Sequence, residues 1–267
     1  MNPYQIVFSD IDGTLLDSTF RVREATAAKI RELDRRGIPF ILVSARMPRA
    51  IYLIQDAIGV RYPIVCHSGA LTLDEERRPV RSIGFDKALA LELLSRIGPA
   101  WPGTSLNLYA DDRWLVDDAQ DPRIVFESEV IEVPAEQGDF GELLSGVDQV
   151  HKILLICQPE TTDQIAREIT EAYPMLAAHR SSTTYLEITD RSAVKSGAVR
   201  AICEHYGIPL EKAVSFGDNF NDVDMLRATG LGVAMANAPE PVRRSADRIT
   251  LDNNHEGVLH MLEQLGL

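Results

Sequence analysis

Hydrophobic and polar positions along the chain fall into two rhythms. In the opening third, short apolar runs alternate with helix-spaced segments. Residues 5–9 read as a buried strand around Ile6-Val7-Phe8. Residues 24–36 read as a helix, with Ile30 and Leu33 on one face and Gly37 as its C-cap. A strand from Ile38 to Val43, a helix over 48–58 opened by Pro48, and a strand from Pro63 to Cys66 follow. This βαβ order predicts a parallel sheet with helices on its faces.

The rhythm then changes. Leu71–Asp74 and Val80–Ile83 read as a hairpin, Leu89 to Ile97 as a helix, and Ser105–Ala110 with Arg113–Val116 as a second hairpin. A strand from Val150 to Cys157, a helix over about 160–172 and a strand Tyr185–Ile188 complete a mainly antiparallel α+β stretch. After it the βαβ rhythm returns. A helix spans 195–206 and a strand Ala213 to Phe216. A helix near 221–228, a strand Leu231 to Met235, a short strand Arg248–Leu251 and a terminal helix follow. The simplest architecture is one α/β core, 1–83 and 190–267, with 84–189 inserted as a cap.

Composition narrows the function. The chain has 267 residues, 45% hydrophobic and 25% charged, as in ordinary globular proteins. No apolar run is long enough to span a bilayer, and no leader segment precedes the first strand, so a cytoplasmic location is expected. The net charge of −13 argues against a broad nucleic-acid footprint, but not against a small anionic substrate. Cys66, Cys157 and Cys203 lie in apolar stretches and read as reduced core residues. Oligomeric state is not legible.

Candidate chemistry sits where strands end. Asp10-Ile11-Asp12-Gly13-Thr14 follows the first buried strand. If the backbone stays extended, Asp10 and Asp12 project to one side. At ~4 Å and an effective dielectric of about 20, their repulsion is on the order of 4 kcal/mol, so a cation or a shared proton must relieve it. A calcium loop is excluded, because the positions needing Gly and Glu hold Leu15 and Arg21. Gly217-Asp218-Asn219-Phe220-Asn221-Asp222 places further carboxylates after another apolar strand, at a helix start suited to capping and to phosphate alike. Ser44 ends a strand and offers a hydroxyl and an amide. Lys195 opens a helix and offers a cation. Each is an ordinary turn or surface residue by itself; their shared position at strand and helix ends is what groups them. His255-Glu256 with His260 misses the zinc-protease spacing, and Gly230-x-Gly232 lacks the third glycine of a dinucleotide site.

Taken in order, these segments resemble the haloacid dehalogenase-like superfamily of phosphatases. More narrowly they resemble its Cof-type branch with a large α/β (type IIB) cap. The resemblance rests on Asp10-Ile-Asp-Gly-Thr-Leu-Leu, Ser44-Ala-Arg46, Ser68-Gly69-Ala70, Lys195-Ser-Gly-Ala, Gly217-Asp-Asn-Phe-Asn-Asp-Val-Asp-Met-Leu226 and Gly232-Val-Ala-Met235-Ala-Asn-Ala. It implies an α/β fold, a Rossmann-like parallel-sheet core with an inserted α+β cap that selects substrate. It further implies that Asp10 attacks phosphorus and that Asp12 serves as acid and then base. Ser44, Arg46, Lys195 and Asn221 would hold or position the phosphoryl group. Mg2+ would be held by Asp10, Asp12 through its carbonyl, and Asp218, with Asp222 in support. The family usually has Gly at Ala45, Asn at Ser68 and Gly at Ala236; none of these departures removes a catalytic carboxylate, and those at Ala45 and Ser68 fall near where substrate would sit, so the resemblance does not name the substrate. Among cap side chains, Asn107, Tyr109, Arg180 and Tyr185 are candidates for substrate selection. A phosphomutase on the same scaffold and a non-catalytic phosphate-binding module are the alternatives.

Overall fold

The structure is a computed structural model that describes residues 3–267. By residue contacts the chain divides into two units, 1–45, 51–81 and 194–267 in the first, 46–50 and 82–193 in the second.

The first unit begins with β1 (Ile6–Asp10), α1 (Glu24–Arg35), β2 (Phe40–Val43), α2 (Pro48–Ile58), β3 (Ile64–Cys66), β4 (Leu71–Leu73) and β5 (Pro79–Ser82). The inserted elements are β6 (Phe85–Asp86), α3 (Lys87–Ala100), β7 (Ser105–Ala110), β8 (Arg113–Val116), α4 (Pro122–Ile131), β9 (Glu136–Gln137), α5 (Phe140–Leu143), β10 (Gln149–Val150), β11 (Lys152–Ile156), α6 (Pro159–Ala172), β12 (Leu176–Arg180) and β13 (Tyr185–Asp190). The chain closes with α7 (Lys195–Tyr206), β14 (Ala213–Gly217), α8 (Val223–Ala228), β15 (Leu231–Ala234), α9 (Glu240–Arg243), β16 (Arg248–Ile249) and α10 (Gly257–Gln264).

The main sheet has the order β16-β15-β14-β1-β2-β3-β4-β5 and is parallel from β16 to β3. Strand β1 is buried along its whole length, as expected where helices cover both faces. Its side chains alternate between the two sides. Val7 packs with Ile30 and Leu33 of α1, whereas Ile6 and Phe8 pack with Val199 and Ile202 of α7. Each such burial contributes roughly 1.5–3 kcal/mol. The period of two puts Asp10 in register with Ile6 and Phe8, on the α7 side. On α7, Lys195 shares the buried face with Val199 and Ile202, one and two turns along. The residues that pack the core therefore also aim Lys195 at the end of β1.

The α/β fold expected for the ends of the chain is the one observed, and the first predicted hairpin forms β4 and β5 at the edge of the main sheet. The second unit carries its own sheet, β12-β13-β11-β7-β8-β9, antiparallel except between β8 and β9. Its core gathers Leu93, Ile97, Leu108, Ile153, Leu155, Ile165 and Ile188. The strand expected from Val150 to Cys157 breaks at His151. There β10 leaves to pair with β6, while β11 pairs with β7 and β13. The three cysteines are free and buried. Among the described residues, no helix is long and apolar enough to cross a membrane.

Candidate active site

Strand β1 lies between β2 and β14, and its neighbours are reached by chain leaving in opposite directions. Such a switch point opens a crevice at the carboxyl ends of the strands. Asp10 ends β1, Ser44 follows β2 and Asp218 follows β14, so the crevice collects all three.

Asp10, Asp218 and Asp222 bring one carboxylate oxygen each within 4.8 Å of one another. Between two of them lies a single ammonium: Lys195 Nζ donates to Asp10 Oδ1 at 2.6 Å and to Asp222 Oδ1 at 2.5 Å. Lys195 is 1% exposed and Asp222 fully buried. Burial alone would lower the Lys195 pKa, but the carboxylates of Asp10 and Asp222 reverse this and hold it well above the usual lysine range. Asp10 is pushed well above the carboxylate range, first by burial and then by Asp222. Asp218 is raised to about 7, again by burial first and by Asp222 next, against the hydrogen bond from Thr14.

The carboxylates differ in what they still have to offer. Asp222 is spent on structure. Its Oδ2 accepts the backbone N–H groups of Asp218 and Asn219, both at 2.9 Å, while its Oδ1 holds Lys195. Asp218 Oδ1 accepts the Thr14 hydroxyl at 2.7 Å. The second oxygens, Oδ2 of Asp10 and Oδ2 of Asp218, accept no hydrogen bond from the described residues. Two half-neutralised anions with open oxygens fit a hard, oxygen-seeking divalent cation, which keeps several waters and needs few protein ligands. Gly13 makes room for this. Its φ is +79°, and a Cβ there would stand 2.4 Å from Asp218 Oδ2.

The other predicted residues are distributed as follows. The Asp12 carboxyl is exposed and lies outside the three-carboxylate group; its backbone bridges to Leu16. Ser44 is 1% exposed, its N–H donates to Val65 O at 2.9 Å, and its carbonyl accepts from Ser68 N at 3.0 Å. Asn221 is half-buried in the turn 220–222 beside Asp222. Arg46 is half-buried and groups with the second unit. Sequence reasoning missed the role of Thr14, although it lies within the quoted aspartate motif. It also missed Asp224, whose Oδ2 accepts the Ser196 N–H at 2.8 Å and so fixes the start of α7 beside Lys195.

In the insert, Asn107 is fully buried, accepting from Trp114 Nε1 at 2.9 Å and donating to Leu154 O at 3.1 Å, which makes it scaffold. Arg180 is committed to Asp163 at 2.8 Å. The Lys152 ammonium lies 4.5 Å above the Tyr109 ring. Tyr185 donates to Glu127 Oε2 at 2.8 Å and lines a cavity of about 410 Å³ with Phe126 and Thr184.

The sequence profile of the haloacid dehalogenase-like hydrolases matches residues 7–262. The chain belongs to this family. It is 33% identical over 261 residues to a Haemophilus influenzae protein provisionally named a phosphatase, covering 98% of both chains. A Bacillus subtilis relative, 26% identical over 273 residues and covering 98% and 97%, is named a 5-amino-6-(5-phospho-D-ribitylamino)uracil phosphatase. A haloacid dehalogenase-like hydrolase from Bacteroides thetaiotaomicron has the same fold, with a TM-score of 0.88 at 23% identity over 98% and 99% of the two chains. The protein is therefore an enzyme of this hydrolase family with phosphatases among its relatives.

Proposed function

We propose that this hydrolase is a Mg2+-dependent phosphatase that cleaves a small phosphorylated metabolite through an aspartyl phosphate on Asp10. The class of substrate is a sugar phosphate, a nucleotide or a cofactor phosphate. The observation that carries the reading is the Asp10 carboxylate: held at the carboxyl end of β1 by Lys195, it keeps its second oxygen open.

In the first step an Asp10 oxygen forms a bond to phosphorus while the bond to the leaving oxygen breaks, and Asp12 gives that oxygen its proton. In the second step Asp12 takes a proton from water, whose oxygen attacks the same phosphorus, releasing inorganic phosphate and the Asp10 carboxylate. Lys195, Ser44, Arg46 and Asn221 hold or position the phosphoryl group. Asp10, the Asp12 carbonyl and Asp218 hold Mg2+, with Asp222 supporting from behind through Lys195 and the 218–219 amides. The ion supplies positive charge where two anions must approach. The insert, 84–189, supplies selectivity as a cap.

The test is phosphate release across a panel of sugar, nucleotide and cofactor phosphates, before and after chelation. Turnover that disappears on chelation and returns with Mg2+ is expected. Full turnover by the chelated protein overturns the reading.

A further inference from the structure

Asparagines outside the acidic cluster grip the loop that follows β1. Asn237 Nδ2 donates to the Gly13 carbonyl at 2.8 Å. Asn253 Nδ2 donates to the Leu16 carbonyl at 2.9 Å. The Asn253 N–H in turn donates to Asn237 Oδ1 at 3.2 Å, which joins the two side chains into one bridge. Beside it, Asn254 Oδ1 accepts the Ser18 N–H at 3.0 Å. The orientation of the Asn237 amide is forced: Gly13 O can only accept and Asn253 N–H can only donate.

These side chains come from the loops after β15 and β16, which contribute nothing to the carboxylate cluster. The loop they hold carries Asp12, an exposed residue. Local turns fold the loop onto itself: the N–H groups of Thr14, Leu15 and Leu16 all converge on the Ile11 carbonyl. Thr14 then ties it to Asp218. Those bonds set its shape. The asparagine bridge anchors its backbone to the rest of the core.

We infer that Asn237 and Asn253 are positioning residues that hold the Gly13 and Leu16 carbonyls so that the Asp12 carboxyl stands where a leaving oxygen takes its proton. The inference rests on the acid–base role proposed for Asp12. It assigns a task to two side chains that lie outside the carboxylate cluster.

The test compares wild type, Asn237→Ala, Asn253→Ala, Asn237→Asp, Asp12→Asn and the double variant Asp12→Asn/Asn237→Ala, at saturating Mg2+. One substrate is an aryl phosphate, whose leaving group needs little protonation; the other is an alkyl phosphate. Either alanine variant should lower kcat on the alkyl phosphate by about 10- to 100-fold, the scale of a small misplacement of a reacting group, with a smaller loss on the aryl phosphate and little change in KM. Asn237→Asp, which sets a carboxylate oxygen against the Gly13 carbonyl, should be at least as impaired as Asn237→Ala. In the Asp12→Asn background Asn237→Ala should cost no more than about twofold, because the carboxyl it positions is gone. Thermal melts confirm that each variant is folded, and Asn253→Ala carries the comparison if Asn237→Ala is not. Equal losses on both substrates, or a loss that multiplies in full with that of Asp12→Asn, overturns the positioning role. An Asp12→Asn enzyme as active as wild type overturns the acid–base reading itself.

Discussion

Lys195 Nζ lies 2.6 Å from Asp10 Oδ1, and both side chains are aimed there by residues that pack the core rather than by the loop motif itself. The pair is buried, and a third and a fourth charge, Asp222 and Asp218, stand beside it. Removing either member should therefore have opposite effects on stability. Asp10→Asn should abolish turnover, by about a thousandfold or more, yet leave the metal-free melting temperature unchanged or raised, since Lys195 keeps Asp222. Lys195→Met leaves three carboxylates without a counter-cation and should cost about 3–5 kcal/mol. Melts of chelated protein at neutral pH check both. A destabilised Asp10→Asn protein would contradict this account of the cluster.

The same crowding makes the metal-free protein sensitive to rising pH. Asp218 titrates at about 7 in the fold against 3.8 without its surroundings, and Asp10 is raised as well. Between those values the folded chain binds more protons than the unfolded one. The contribution of Asp218 to stability is complete below about pH 4 and is lost as pH climbs through about 7. Chelated protein should thus lose melting temperature from this source over that window. Asp218→Asn should flatten the loss, and Mg2+ added near pH 7.5 should reverse it. A chelated protein whose Asp218→Asn variant has the same slope would show that the carboxyl is not perturbed as described.

Gly13 tests the close approach. An alanine there must adopt a φ of +79° and place its Cβ 2.4 Å from Asp218 Oδ2. Backbone strain of about 1–3 kcal/mol is expected, and because the carboxylate must move, kcat/KM should fall by about 100-fold. Titrating Mg2+ against the folded variant separates the two effects: strain alone leaves the affinity for the ion unaltered, whereas a displaced Asp218 weakens it.

Much of this geometry was legible in the sequence because period-two and period-3.6 patterns fix direction as well as type. Ile6-Val7-Phe8 assigns Asp10 to one side of the sheet, and Lys195-Val199-Ile202 assigns the ammonium to the facing side. The insert was harder to read. Helix α4, Pro-Arg-Ile-Val-Phe-Glu-Ser-Glu-Val-Ile, is rich in β-branched residues and buries only Ile124 and Ile131. What makes it helical is Pro122 in the first turn and the Asp121 side chain capping Arg123 N. Strand β12 ends in exposed His179 and Arg180 and has no alternation to read. The split at His151 depends on the ring, whose Nδ1 accepts the Asp111 N–H at 3.0 Å, a contact between residues 40 apart. The roles of Asn237, although it lies within the quoted 232–238 motif, and of Asn253 were illegible for a related reason: the carbonyls they hold are backbone groups, which leave no mark in a sequence.

The last prediction concerns the insert. The chain leaves the first unit after Arg81 and re-enters at Val194, and both ends converge on one residue of that unit. Arg81 Nη1 donates to the Gly69 carbonyl at 2.6 Å. The Val194 carbonyl lies so near that a Cβ on Gly69, at φ +100°, would stand 2.5 Å from it. A short flexible linker can therefore replace residues 82–193 without stretching the core. The first unit keeps its own apolar clusters, around Ile30 and Phe40 on one side of the sheet and Phe8 and Ile202 on the other. It also keeps Asp10, Lys195, Asp218 and Asp222. The excised protein should fold and retain slow, metal-dependent hydrolysis of small aryl phosphates. If the insert carries selectivity as proposed, kcat/KM values across natural phosphates should collapse toward one another while the aryl phosphate rate falls less. A folded core that preserves the full chain's ranking of substrates would place selectivity in the first unit, and the side chains to mutate next would be those around Ser44 and Ser68.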